Sequence, residues 1–157
     1  MKKISIISLL FFIVLFLGCG PRYILKSDPD VLKINKEEYS IEVLPAINAF
    51  DISIENKSQN DIEIVWDKTY YIEDNRTLGG FMFEGIVYKD RANPKPPDII
   101  FPATRFFKRL YPNNLVYFYQ GWYNKYIPEG NNGIYLTMNI KGKEVREKLM
   151  LKIIHQY

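Results

Sequence analysis

The middle of the chain alternates apolar and polar residues with a period of two, a pattern typical of half-buried β-strands. Residues 39–43 and 50–55 place Tyr, Phe, Ile and Val on one side and Ser, Asp and Glu on the other. Residues 62–66 repeat the pattern, and the polar stretch 57–61 before them is rich in turn-forming residues. We therefore predict that 50–55 and 62–66 form a β-hairpin with one buried and one solvated face.

The alternation continues toward the C-terminus and predicts further strands. They are expected at residues 69–72, 81–88, 99–101, 104–110, 115–122, 134–140 and 142–154. The proline-rich segment 89–98 cannot be a central strand and is predicted to be an exposed loop.

The C-terminal segment has two interpretations. Residues 143–149 are good helix formers with opposite charges four positions apart, which favours a helix. Lys141-Gly142 is a plausible tight turn, and Leu149, Leu151 and Ile153 alternate with polar residues. We therefore predict a strand.

Short strands with turn signals about every ten residues indicate an all-β protein. We predict an antiparallel immunoglobulin-like β-sandwich of about 7–9 strands at residues 38–157, with a barrel as the alternative way of closing the sheet. Trp66, on the third predicted strand, resembles the core tryptophan of immunoglobulin-like domains. Residues 50–58 and 62–67 also resemble the first hairpin of small bacterial lipoprotein domains, a resemblance that implies a fold only.

Residues 1–18 have the composition of an export signal. Met1-Lys2-Lys3 is a short basic start, and residues 4–17 are apolar apart from two serines. This run matches the apolar part of a secretory signal peptide and is shorter than the roughly 20 residues that a membrane-spanning helix needs.

The run ends at Phe16-Leu17-Gly18-Cys19, with a small residue directly before the cysteine. This segment resembles the lipobox of bacterial lipoproteins, a resemblance that covers about the first twenty residues. It implies cleavage between Gly18 and Cys19 and a diacylglycerol group linked to the Cys19 sulfur. Gly20, in place of Asp, implies the outer membrane if the cell has two membranes. Residues 19–37 have little apolar periodicity and are then predicted to be a tether between lipid and domain, with residues 31–34 as a candidate for a short ordered stretch.

Charge and composition narrow the classes of function. The chain has 157 residues and a net charge of +3. Cleavage after residue 18 removes Lys2 and Lys3 and leaves a net charge of +1. Such a chain has no electrostatic footprint for nucleic acid. One Cys and one His exclude a disulfide framework and multi-cysteine or multi-histidine metal sites. We predict no metal and no cofactor.

Catalytic chemistry has few candidate residues. His155 lies close to the C-terminus, where chains usually fray, so a rigidly held general base is not expected there. A pair of carboxylates suffices for glycoside hydrolysis, and Asp67, Glu73, Asp74 and Glu84 lie around the middle strands. The alternative is that these acids cover a solvated strand face.

An aromatic stretch is the most informative feature of the domain. Between positions 111 and 126 it contains Tyr111, Tyr117, Phe118, Tyr119, Trp122, Tyr123 and Tyr126. On one strand, Tyr117 and Tyr119 point to one side while Val116 and Phe118 point to the other, so one set can fill the core and the other lies outside. We take Tyr117, Tyr119, Trp122 and Tyr123 as a candidate binding face for sugars or a protein. The alternative is that tyrosine is simply a favoured strand former.

Together these features predict a lipid-anchored cell-envelope lipoprotein whose β-sandwich has a binding or structural role without catalysis. Its expected partners are membrane lipid, through Cys19, and an envelope protein or glycan. Two alternatives stay open. One is an envelope enzyme that cleaves polysaccharide with an acidic pair, and the other is a carrier that holds a small ligand in an apolar cavity.

Overall fold

The computed structural model describes residues 24–156, which contain no α-helix. Their strands, numbered in chain order, are β1 (Ile24–Asp28), β2 (Leu32–Asn35), β3 (Tyr39–Pro45), β4 (Phe50–Asn56), β5 (Ile62–Ile64), β6 (Tyr70–Glu73), β7 (Arg76–Thr77), β8 (Phe81–Met82), β9 (Asp98–Ile100), β10 (Arg105–Pro112), β11 (Val116–Phe118), β12 (Trp122–Asn124), β13 (Gly130–Ile140) and β14 (Lys143–Gln156). Short 3₁₀ turns lie at Trp66–Lys68, Tyr88–Asp90 and Asn113–Leu115. The predicted all-β class is confirmed.

Sheet 1 is built around the long strands β13 and β14, which pair antiparallel from Gly130↔Ile153 to Ile140↔Lys143. The other edge of β13 is shared by β5 and β6, which the turn Trp66–Lys68 separates. The sheet continues through β1 on β14, β9 on β5 and β7 on β6.

Sheet 2 has the strand order β2-β3-β4-β10-β8, with every pair antiparallel. Two antiparallel sheets with one apolar face each are compatible with a β-sandwich. A third, two-stranded sheet consists of β11 and β12 alone.

The core lies between the two main sheets. Alternate residues of β3 and β4 are buried and belong to one apolar cluster with residues of β13 and β14. The Phe50 ring on β4 lies 6.2 Å from the Tyr71 ring on β6, so side chains of the two sheets meet in this cluster. Burying each large apolar side chain contributes about 1.5–3 kcal/mol, which is why the period-two pattern of the sequence becomes two packed sheets.

The strand interpretation of the C-terminal segment is confirmed. β14 extends from Lys143 to Gln156, with Leu149, Leu151 and Ile153 buried in the core. Lys141 and Gly142 have φ angles of 55° and 74°, the left-handed pair that a two-residue hairpin turn requires. Tertiary pairing along the whole of β13 outweighs the local helix propensity of residues 143–149.

The predicted hairpin of residues 50–55 and 62–66 is wrong. β4 pairs with β3 and β10 in sheet 2, whereas β5 pairs with β13 and β9 in sheet 1. Residues 57–61 therefore cross from one sheet to the other. Alternation specifies which face of a strand is buried, but both sheets bury one face, so the pattern does not identify the partner strand.

The structure differs from the predicted tether at residues 19–37. Ile24–Asp28 pairs with β14, and Leu32–Asn35 pairs with β3. Leu25, Leu32 and Ile34 pack against the core, so the ordered part extends beyond the short stretch 31–34 that the sequence offered. The folded part therefore begins at least as early as Ile24, and not at residue 38.

Two predicted strands are shorter than expected. Of residues 81–88 only Phe81–Met82 pairs, and the chain turns at residues 84–85, where Gly85 has a φ of 86°. The segment 115–122 is interrupted by a turn, so that β11 ends at Phe118 and β12 begins at Trp122. Residues 89–98 form the predicted loop, apart from one 3₁₀ turn and Asp98, which begins β9.

Candidate functional site

The aromatic stretch folds into a small hairpin of its own, residues 116–124, which we call the aromatic hairpin. Its register is Val116↔Asn124, Tyr117↔Tyr123 and Phe118↔Trp122. The turn is closed by the Tyr119 N–H, which donates to the Gly121 carbonyl at 3.0 Å, and Gln120 takes a φ of 53°. At the base, the Lys125 N–H donates to the Leu115 carbonyl at 2.8 Å.

Aromatic side chains on the hairpin and beside it are exposed to solvent. The exposed fraction is 41% for Tyr117, 56% for Phe118, 68% for Tyr119 and 46% for Tyr123, and Tyr126 just beyond the hairpin reaches 52%. None of these five belongs to the core cluster. Large exposed aromatic surfaces are uncommon on monomeric proteins and mark interaction sites.

The exposed rings lie on both faces of the hairpin. The Tyr117 and Tyr123 rings stack with centroids 5.4 Å apart and an interplanar angle of 20°. Phe118 points to the opposite face, where its ring lies 6.0 Å from that of Tyr88. The Lys125 Nζ lies 5.8 Å from the centre of the Tyr117 ring and places a positive charge beside the stacked pair.

The structure places the four candidate residues in one hairpin, but not in the predicted arrangement. Tyr119 lies in the turn and does not share a strand face with Tyr117 as predicted; the cross-strand neighbour of Tyr117 is Tyr123. Trp122 begins β12 in register with Phe118. The alternation predicts that the rings on one side of the strand fill the core. In the structure Phe118 and Tyr117, which point to opposite sides, are both exposed.

The base of the hairpin is held firmly against the main sheets. Ile127 is fully buried, and its N–H donates to the Ile47 carbonyl at 2.9 Å in the turn between β3 and β4. The carbonyl of Ile127 lies 2.8 Å from Nε2 of His155, at the end of β14. His155 thus contacts the backbone that supports the hairpin. The sequence did not indicate this structural role, because the two segments are far apart along the chain.

A cleft of about 530 Å³ lies between β10 and the loop after β8. Lys108 is one of its lining residues, with Nζ 4.3 Å from the Phe83 ring and 5.2 Å from the Trp66 ring, and it forms an ion pair with Asp98. Asp98 also accepts a hydrogen bond of 2.8 Å from the Trp66 indole N–H. The charge of Lys108 is therefore balanced by an ion pair and aromatic rings within the fold.

Two further cations line the same cleft. Arg109 donates from Nε and Nη2 to the two carboxylate oxygens of Asp51 at 2.6 and 2.7 Å, which raises the pKa of the guanidinium. Lys95 donates from Nζ to backbone carbonyls of its own loop, and burial lowers its pKa. The cleft is lined by charged as well as apolar residues, and its cations already have partners in the protein.

The candidate acids are divided among different parts of the fold. Asp67 accepts the Lys95 N–H at 2.9 Å after β5, and Glu84 lines the cleft. Glu73 and Asp74 lie together at the β6–β7 turn, where Asp74 accepts the Asn131 N–H at 3.1 Å. Burial, followed by the charge of Glu73, raises the pKa of the neighbouring Tyr71 hydroxyl.

The lipidation residues Gly18 and Cys19 lie outside the described residues. Within residues 24–156 no group of three His, Cys, Asp or Glu side chains is placed to hold a metal ion. The same part of the chain contains no helix of sufficient length and apolarity to cross a bilayer.

Comparisons with protein families, curated proteins and solved structures found no match to this chain.

Proposed function

We propose that the protein is a lipid-anchored lipoprotein of the bacterial cell envelope, held in the outer membrane where two membranes exist, and that its domain acts by binding through the aromatic hairpin. The support for the anchor is the lipobox-like segment that ends at Cys19. The finer assignment of the domain to the immunoglobulin-like class is part of the same proposal. No catalytic step is part of it.

One observation carries the binding role: the exposed aromatic rings form a separate hairpin that contributes little to the core. Their exposed fractions, between 41% and 68%, leave large apolar areas in water, a cost that a purely structural hairpin has no need to bear. Tyrosine combines an apolar ring with a polar tip and few rotatable bonds, which suits a surface that is solvated when free and covered when bound.

The anchor is tested by comparing the full chain with its Cys19→Ser variant. Cells are supplied with an alkyne-labelled fatty acid, and membranes are separated from soluble protein. We expect label and membrane association in the wild type and the loss of both in the variant. Label that persists in Cys19→Ser would contradict the proposed anchor.

The binding role is tested by photo-cross-linking in cells. A photoreactive residue is placed at Tyr119 in the hairpin turn, and a matched one at Gln59, which is exposed in the loop 57–61. We expect adducts from position 119 that decrease strongly when Tyr117 and Tyr123 are both changed to Ser. Equal adduct yields from positions 119 and 59 would contradict a binding role for the hairpin.

A further inference from the structure

One end of the molecule gathers the start of the described chain and the base of the aromatic hairpin. Ile24, the first residue of β1, pairs with Gln156 at the end of β14. Beside it, the His155 N–H donates to the Glu129 carboxylate at 2.8 Å, and the His155 ring contacts the Ile127 carbonyl. The linker 125–129 thus connects this end directly to the hairpin.

The opposite end of the molecule is formed by different segments. The Lys141-Gly142 turn joins β13 to β14 there, and Ile62 pairs with Ile140 directly after the loop 57–61. The two ends are therefore separated by the length of the eleven-residue strand β13.

Covalent geometry limits how far the first end can be from a lipid on Cys19. Ile24 follows Cys19 by five positions, and five residues extend over at most about 18 Å. Two or three acyl chains would keep Cys19 at the membrane surface, since a diacyl anchor binds far more stably than a single chain. The hairpin end is consequently the end that such an anchor holds near the headgroups.

The chemistry of this end suits the headgroup region of a bilayer. Tyrosine is enriched at membrane–water interfaces, where the ring enters the apolar boundary and the hydroxyl stays hydrated. Lys125, beside the stacked Tyr117 and Tyr123, supplies a charge that attracts anionic lipid. Ile24 is 50% exposed at the same end, and Ile154 on β14 is 37% exposed.

The distribution of rings over both faces favours a bilayer above a single macromolecular partner. Tyr117 and Tyr123 lie on one face of the hairpin and Phe118 on the other, and all three are exposed. A protein or glycan that docks on the Tyr117 and Tyr123 face leaves the exposed part of the Phe118 ring in water. A bilayer interface into which the hairpin dips also covers the part of the Phe118 ring that Tyr88 leaves exposed.

We propose that the hairpin end faces the membrane that holds the anchor, and that the aromatic hairpin inserts Tyr117, Phe118, Tyr119 and Tyr123 among the phospholipid headgroups. This inference rests on the proposed lipid anchor at Cys19. It names phospholipid as what the hairpin binds and fixes the orientation of the sandwich, with the Lys141-Gly142 end directed away from the bilayer.

The test uses the full lipidated chain in vesicles of phosphatidylethanolamine and phosphatidylglycerol. A nitroxide is attached to Tyr119→Cys in the hairpin turn or to Gln59→Cys at the opposite end. Its accessibility is then measured with oxygen, which enters lipid, and with a water-soluble nickel chelate. We expect the label at position 119 to be more accessible to oxygen than to the nickel chelate, and the label at position 59 to be more accessible to the nickel chelate.

A matched pair of variants connects this result to the rings. Tyr117→Ser with Tyr123→Ser, in the Tyr119→Cys background, is expected to shift the label toward nickel accessibility. Phe107→Ser removes an aromatic residue of β10 in sheet 2 that is more exposed than Tyr117 or Tyr123, and it is expected to leave the label unchanged. Equal shifts in both variants would overturn the assignment of the insertion to the hairpin.

Flotation of the same vesicles separates the failure of the inference from that of the anchor. If the full chain floats with the vesicles and position 119 is as accessible to nickel as position 59, the membrane insertion is wrong while the anchor stands. If the full chain does not float, the anchor is wrong and the inference fails with it. A label at position 119 could instead stay accessible to nickel on vesicles and become immobilised when peptidoglycan fragments are added. That result would overturn the membrane insertion and identify a glycan as what the hairpin binds.

Discussion

Asn56 occupies the last position of β4, where the chain leaves sheet 2 and crosses to sheet 1. Its side chain is fully buried, and Nδ2 donates to the carbonyls of Asn60 and Ile100 at 2.7 and 2.8 Å. Its Oδ1 accepts from the Ser58 N–H at 2.9 Å and from the Ser58 hydroxyl at 2.8 Å. One amide thereby satisfies polar groups of the crossing loop and of β9.

We predict that Asn56→Ala lowers the free energy of unfolding by about 2–3 kcal/mol, because it leaves buried donors and acceptors without partners. Urea denaturation measures the change. Gln59→Ala, an exposed change in the same loop, is the control and is expected to stay within about 0.5 kcal/mol of the wild type. A similar loss in both variants would show that the loop, and not the amide, is sensitive.

Gly133 in β13 has no room for a side chain. A Cβ atom there would lie 2.0 Å from the Leu149 carbonyl oxygen, which is backbone of the neighbouring strand. We predict that Gly133→Ala costs about 3 kcal/mol, because two long strands must move apart to relieve the clash. Gly121→Ala, in the turn of the aromatic hairpin where a Cβ would meet nothing within 4 Å, is expected to be nearly neutral. Thermal unfolding of both variants measures the difference.

These two positions show what the sequence could not reveal at the scale of single residues. Asn56 stands before a polar stretch that has the composition of an ordinary turn, and its partner Ile100 is far along the chain. Gly133 shows only as an interruption just before a regular alternation. Both requirements arise from contacts between strands that are distant in sequence, which a local pattern does not contain.

At the scale of elements, the period-two pattern predicted which segments are strands better than it predicted their partners. β3, β4, β10 and β13 lie close to their expected positions, because alternation reports directly on burial of one face. The pairing of β4 with β10, and of β5 with β13, depends on the crossing loop 57–61. That loop has the same turn residues as a hairpin loop would have.

β14 is connected to the turn after β5 by an ion-pair cluster at Glu144. The Lys68 ammonium donates to this carboxylate at 2.5 Å and the Arg146 Nε at 2.7 Å, and these hydrogen bonds lower the pKa of Glu144 below its ordinary value. A carboxyl whose pKa is lower when folded stabilises the protein above its unfolded pKa. The stabilisation is lost as the pH falls through the folded pKa.

We predict that Lys68→Ala raises the pKa of Glu144, because the hydrogen bond from Lys68 is the largest cause of the shift. The titration is followed by NMR of the side-chain carboxyl. Lys152→Ala removes a charge from the same strand at a distant position and is expected to leave the Glu144 titration unchanged. If the Glu144 titration midpoint is the same in Lys68→Ala as in the wild type, Lys68 does not lower the pKa of Glu144 and Arg146 does.

At the scale of the whole molecule, the composition of the aromatic stretch indicated the candidate site, but its shape came from the turn. Seven aromatic residues between positions 111 and 126 are more than one inward strand face can bury, so exposure of some was predictable. The position of the turn at residues 119–121 was not, because Tyr119, Gln120 and Gly121 resemble a continuing strand more than a standard two-residue hairpin turn. The turn brings Tyr123 beside Tyr117.

The aromatic hairpin pairs only with itself, so we predict that the two-sheet core folds without it. Replacing residues 117–123 by Asn-Gly would join Val116 to Asn124 through a two-residue turn. The melting temperature is expected to change by less than about 3 °C, which corresponds to about 1 kcal/mol for a domain of this size. Hydrogen exchange should be fast in β11 and β12 of the wild type and slow in the centre of β13, which is paired on both edges.

The same replacement separates the two roles that the exposed rings could have in the molecule. If the rings support the fold, for example through the contact between Phe118 and Tyr88, the shortened protein melts at a much lower temperature and β13 loses protection from exchange. If the rings serve only binding, the shortened protein keeps the exchange pattern of both main sheets and loses the cross-links and the lipid insertion. We expect the second result, because none of the exposed rings described in the hairpin belongs to the core cluster, and backbone hydrogen bonds at Lys125 and Ile127 hold its base.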